Sequence, residues 1–352
     1  MQPRVIMKKN RLFLFLIVLF VVLISSNARL FEDLPKSKNI LLTAPPKLSS
    51  KDIENLPKRI FMTWNHGAEF FQIEAHEGCA SLKIHFEKLP DKFLEEIKSC
   101  FVKTTSGEGH ASFEYCYHLD FFNDLQINTN PVSNKPSGYA ITSPRFFEKS
   151  SPHVVSVAFL LSLIKKHYIA FYTGAGLSIS SNVPSMSNLE EMIGINPKIG
   201  FNASMESILN SPENTTRNIY QFYRACFYSK PSKAHYAIYK LANFKKCPVF
   251  TENLDFLHEI TGISPYRISP EIVSEHVLSP TDVKVLDYMI CVGLSHDDRG
   301  FLNWYKSNNP KGKIIAIDFG VPTYLGDEDF IIQEDLQQVF EFLENGLQEN
   351  GL

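Results

Sequence analysis

The chain contains no Cys-x-x-Cys pair. Its six cysteines stand at 79, 100, 116, 226, 247 and 291, and that isolated spacing argues against a zinc knuckle or ribbon. An even count still permits disulfides beyond a membrane, with no pairing legible. Cys247 and Cys291 fall beside expected core strands, where a thiol behaves as a small inert hydrophobe. Excess positive charge is missing too. The net charge is −3, and there is no basic stripe beyond the extreme N-terminus, so no nucleic-acid-binding surface is expected. His66, His76, His85, His110 and His118 are scattered without metal-ligand spacing. Internal repeats and low-complexity tracts are absent.

No apolar run reaches the length of a plain membrane span. The unbroken run Leu12–Ile24 holds thirteen residues, which is signal-peptide length and short for a full crossing. Arg4, Lys8, Lys9 and Arg11 precede it, and Ser26-Asn-Ala28 offers a small-residue cleavage site. Residues 1–28 are therefore expected to be a signal peptide or a membrane anchor acting through residues 12–26. Both readings leave the basic end in the cytoplasm and send the rest of the chain across the membrane. The expected location is a type II single-pass membrane protein, or a secreted or periplasmic one.

What is present divides the remainder into three. Residues 29–57, with Pro35, Pro45, Pro46 and little periodicity, are expected to be a linker or stem. Residues 58–150 are expected to form a small α+β region of unknown role. Arg59–Trp64, Ser81–Phe86 and Phe113–Leu119 have strand patterns there, and Pro90–Val102 has a helical one, with Phe93, Leu94, Ile97 and Phe101 on one face. Residues 151–348 are expected to be a nucleotide-binding α/β domain.

The most specific signal lies in that last region. Phe171-Tyr-Thr-Gly-Ala-Gly-Leu-Ser-Ile-Ser-Ser-Asn-Val-Pro184 reads as a buried strand, a glycine turn and the start of a helix. Such a turn places bare backbone N–H groups where a phosphate can be held. Further strands are expected at Pro248–Thr251, Tyr288–Ser295 and Lys313–Asp318, separated by helical patterns that end with a helix from about Glu334. Strands alternating with helices predict a doubly wound parallel sheet, which binds ligands at the carboxyl ends of its strands. The polar clusters Gly174–Ser178, Asn253–Asp255, Gly293–Ser295 and Asp318 occupy those ends.

In that order the motifs resemble the sirtuin (silent information regulator 2) family over roughly Val154 to Leu343. Thr173-Gly-Ala-Gly-Leu-Ser178 with Val183-Pro184, the Pro231–Leu241 helix, Thr251-Glu-Asn-Leu-Asp-Phe-Leu-His258, Gly293-Leu-Ser295 and Ile315-Ala-Ile-Asp318 carry the resemblance. It implies a Rossmann-like NAD-binding fold. The backbone of Ala175 and Gly176 would approach the pyrophosphate, and Gly174, Ser178, Pro184 and Gly293 would be further cofactor-binding positions. Ser295 and Asp318 would bond the adenine-side ribose. Asn253 would position the nicotinamide ribose and Asp255 the carboxamide. Glu252, where the family has Gln, would support developing positive charge or accept ribose hydroxyls. His276 would be the general base, with His258 and His296 as competitors.

The departures shape the functional expectation. Ser185-Met-Ser187 stands where the family has Asp-Phe-Arg, and Asn182 replaces a glycine, which Asn tolerates in left-handed backbone. About a dozen residues, 277–288, stand where the family inserts a four-cysteine zinc ribbon, so no zinc is expected. The first expectation is cleavage of the nicotinamide–ribose bond of NAD with water as acceptor. The alternatives are an NAD-dependent lysine deacylase acting on an acyl-lysine protein, and a non-catalytic module that binds NAD or ADP-ribose.

Overall fold

A computed structural model describes residues 48–56, 58–66, 69–77, 79–86, 102–107, 110–118, 143–196, 201–268 and 280–348. All of them fall in one compact unit running from Leu42 to Leu352. The expected N-terminal apolar helix at residues 12–26, the 90–102 helix apart from its last residue, and His276 lie outside the described residues. The expected membrane-anchored location is corrected: among the described residues no helix is long and apolar enough to cross a membrane.

The centre is a seven-stranded, wholly parallel sheet in the order β6-β12-β11-β10-β7-β8-β9. Its strands are β6 His153–Val154, β7 Ile169–Thr173, β8 Val249–Thr251, β9 Tyr266–Arg267, β10 Tyr288–Val292, β11 Lys313–Ile317 and β12 Phe330–Ile332. The central strands are short continuous apolar runs because both faces are covered, as parallel sheets require. Every residue of β7 is buried. Its side chains alternate between two cores. Ile169 and Phe171 join the core under the helices Val157–Lys166, Lys233–Lys245 and Leu336–Gln348, whereas Ala170 and Tyr172 join the opposite core with Phe301 and Trp304.

Residues 59–118 contribute a second sheet, antiparallel, in the order β1-β2-β3-β5-β4. Its strands are β1 Arg59–His66, β2 Glu69–His76, β3 Cys79–Phe86, β4 Val102–Gly107 and β5 His110–His118. Strands at 59, 81 and 113 were legible from alternation, and β2 and β4 were not. Ile60, Met62, Phe71, Ile73, Leu82 and Ile84 form one buried face. That face packs on Ile219, Phe222, Tyr223 and Phe227 of the helix Pro212–Tyr228. The small sheet therefore backs a helix whose Phe222 and Cys226 reach the cleft described next.

Candidate active-site cleft

From β7 the chain winds one way, to β8 and β9, and then returns to β7's other side as β10. The strand order reverses there, and the loops leaving the carboxyl ends of β7 and β10 diverge to open a crevice. The crevice is a cleft of about 540 Å³. After β7 it is lined by Gly174, Ala175, Gly176, Ser178 and Pro184, after β8 by Glu252, Asn253 and Asp255, and after β10 by Gly293, Ser295, His296 and Arg299. Asp318 ends β11 but does not line the cleft. It is half-buried, its Oδ1 accepts from Gly320 N at 3.2 Å, and burial pushes its carboxyl above the usual range.

Three glycines let the two loops touch backbone to backbone. A Cβ on Gly174 or Gly176 would meet Gly293 at 2.7 Å, and a Cβ on Gly293 would sit 2.4 Å from Leu177 N. Gly293 also has φ +60°, in the left-handed region. The structure modifies the expected phosphate turn. The segment Ala175–Ser181 is a seven-residue 3-10 helix, ending in Asn182 at φ 61°. Gly176 N–H is not bare: it donates to Gly293 O at 2.8 Å. The glycines here serve close approach of backbone more than a row of open donors.

Asn253 and Asp255 are buried, at 7% and 3% exposure, and are tied to that turn. Asn253 Nδ2 donates to Gly174 O and to Ser178 Oγ, each at 3.1 Å. This fixes the amide and leaves its oxygen as the group offered to a ligand. Ser178 Oγ donates to Asp255 Oδ2 at 2.5 Å, and Leu257 N donates to Asp255 Oδ1 at 3.0 Å. Both carboxylate oxygens of Asp255 are thus engaged, one in holding the turn and the other in accepting the first N–H of the helix Leu257–Thr261.

Glu252 is half-buried on the cleft wall. The hydroxyl of the buried Tyr172 donates to its Oε1. Desolvation pushes the Glu252 carboxyl up to about 7, against the opposing pull of Tyr172 and Arg299. His258 does not line the cleft. It is buried, its Nε2 lies 2.9 Å from Thr173 Oγ1, and burial holds it well below the usual imidazole range. His296 lines the cleft, exposed, with Nδ1 3.4 Å from Thr323 Oγ1. Ser185, the first of the three residues that depart from the family pattern, caps the helix Met186–Ile193 by accepting from Asn188 N at 3.2 Å. Cys79, Cys226, Cys247 and Cys291 are buried, and the last three are free thiols. Among the described residues no group of three or more potential ligands could hold a metal ion.

Sequence reasoning missed Arg267. It sits in a two-residue strand with no motif to mark it. It is buried, donates through Nη1 to Asn253 O, pairs with Glu259 through Nε at 3.0 Å, and lies over the Phe256 ring. It also missed Met62, contributed to the cleft from the antiparallel sheet.

No family model matches the chain. A curated NAD-dependent protein deacetylase of Clostridium tetani (strain Massachusetts / E88) is 33% identical over 100 residues, covering 27% of this chain and 40% of that protein. NAD-dependent protein deacetylase 1 of Pyrobaculum aerophilum is 28% identical over 160 residues, covering 43% of this chain and 57% of that protein. Over these stretches the chain is similar to the sirtuin family. It spans about half the length of these curated sirtuin relatives. Among solved structures, a crystal structure of a Sir2 homolog–NAD complex has 18% identity and a TM-score of 0.44, covering 58% of this chain and 98% of that one. A Sir2–p53 peptide–NAD+ structure has 16% identity and a TM-score of 0.41, covering 56% and 99%. Of the stretches that carry the resemblance, Gly174–Ser178 with Pro184, Glu252–Asp255 and Gly293–Ser295 line the cleft at the ends of β7, β8 and β10.

Proposed function

We propose that this cleft binds NAD and that the chain is an NAD-consuming enzyme, cleaving the nicotinamide–ribose bond and passing ADP-ribose to water. The observation that carries the reading is the convergence of Gly174–Ser178, Glu252–Asp255 and Gly293–Ser295 on one cleft at the sheet's switch point. The donor set fits a dinucleotide. Gly174 and Gly176 line the cleft without side chains, Ser295 offers a hydroxyl at the rim, and the fixed Asn253 amide faces inward. Asp318 is assigned to the ribose side as an outer partner. His276 is in this reading the base toward a ribose hydroxyl.

The chemistry needs positive charge on the sugar to be stabilised as the bond breaks. Fixed dipoles and carboxylates in a partly dry site do this without reorganising. Asn253 supplies such a dipole, held by Gly174 O and Ser178. Asp255 keeps Ser178 and the turn in place and acts through them.

A second reading is an NAD-dependent lysine deacylase, with an acyl-lysine protein as co-substrate. The curated relatives named NAD-dependent protein deacetylase favour it. Assaying the full-length chain with NAD separates the readings. Nicotinamide release without peptide supports hydrolysis, and release only with an acetyl-lysine peptide supports deacylation. An NAD-induced rise in melting temperature with no release under either condition identifies a binding module. Asn253→Ala and His276→Ala should each lower nicotinamide release by roughly a hundredfold or more, and Asn253→Ala should also lower the melting temperature of the free protein, because it removes two buried hydrogen bonds.

A further inference from the structure

Glu252 is a carboxylate at a motif position where the sirtuin pattern has a neutral amide, and the fold gives it a distinct setting. It follows β8, adjacent to Asn253, and lines the cleft. Tyr172, buried and packed edge-on against Phe301 at 4.9 Å, donates its hydroxyl to Oε1. Among the described residues Oε2 has no hydrogen-bond partner, nor is it a buried unsatisfied atom, so it is open to the cleft. The groups that face the carboxyl are Tyr172 from β7 and Asp297, Asp298 and Arg299 from the loop after β10. His296 and Asp255 stand elsewhere on the cleft wall.

We propose that Glu252 is a catalytic residue that takes the proton of the attacking water, and so selects water over an acyl group as the acceptor. The proposal rests on the NAD-cleaving reading above. In the step, the water oxygen forms a bond to the ribosyl anomeric carbon. The bond from that carbon to the pyridine nitrogen breaks, and its electron pair leaves on nicotinamide. The water proton passes to Glu252 Oε2 and from there to solvent. Tyr172 anchors the other oxygen and directs Oε2 into the cleft. A carboxyl whose proton is lost near neutrality is matched to this work, and a glutamine cannot perform it.

The test compares wild type, Glu252→Gln and Tyr172→Phe as full-length proteins. Nicotinamide release is followed from pH 5 to 9, ADP-ribose affinity is measured by calorimetry, and the Glu252 carboxyl is titrated in ligand-free protein by carbon NMR. Wild type should gain activity as pH rises through about 7. Glu252→Gln should lose roughly a hundredfold to ten-thousandfold of hydrolysis while binding ADP-ribose within about threefold of wild type. Tyr172→Phe should move both the NMR titration and the acid limb to higher pH. A Glu252→Gln protein that hydrolyses NAD like wild type overturns the role of Glu252 and leaves the NAD-cleaving reading standing. Joint loss of ADP-ribose binding and activity makes Glu252 a binding group and also overturns it. No nicotinamide from wild type at any pH overturns both, and the calorimetry then says whether the cleft still holds ADP-ribose.

Discussion

Gly293 shows how little room single residues have around the cleft. A side chain there meets backbone on the facing loop and must also adopt φ +60°. Gly293→Ala should cost on the order of 3 kcal/mol in chemical denaturation. Gly320→Ala, where nothing lies within 4 Å of a new Cβ, should fall within about 0.5 kcal/mol of wild type. Two buried titratable groups pull stability in opposite directions with pH. His235 is held down to about 4 by burial, so the unfolded chain binds its proton first, and the His235 contribution is lost as pH falls from about 6.5 to about 4. Glu252 is held up at about 7, so the folded protein keeps a proton that the unfolded chain has released. Its contribution is lost as pH rises from about 4.5 to about 7. Glu252→Gln should therefore raise the melting temperature at pH 8 and change it little at pH 4.5, a cost in stability carried for function.

At the scale of elements, the tip after β8 is held from two sides. The 3-10 turn grips Asn253 and Asp255 through Gly174 and Ser178, and Arg267 from β9 grips the Asn253 carbonyl while paired with Glu259. Removing one partner of a buried ion pair strands the other charge. Arg267→Ala should cost about 3–5 kcal/mol in urea denaturation, and the double variant Arg267→Met, Glu259→Met should recover much of it. The tip and its grip come from three places in sequence. The Thr251–His258 motif was legible because it is contiguous. Arg267 was not, because a two-residue edge strand has no periodicity and its role depends on which strand lies beside it.

Across the whole molecule, the antiparallel sheet and the parallel domain share the 212–228 helix as common packing. Their unfolding should therefore be one transition. The chain has two tryptophans, Trp64 on β1 and Trp304 on the helix Phe301–Asn308. Single-tryptophan variants should give coincident urea transitions by fluorescence, and a first transition seen only by Trp64 would show the small sheet to be independent.

By itself the sequence determined the class of fold and most of the cleft. Apolar runs of strand length at 169, 249, 288 and 313 specify buried parallel strands, and the polar clusters that follow them fall at carboxyl ends. Local pattern carries that information because both faces of such strands must be apolar. Only the tertiary structure decided what those residues do to one another. It committed the Gly176 amide to Gly293, turned both oxygens of Asp255 to structural work, left Asp318 off the cleft wall, and set Glu252 against Tyr172 with one oxygen open. Except for the bond from Leu257 to Asp255, these contacts join loops 75 or more residues apart, and no local periodicity encodes such distances.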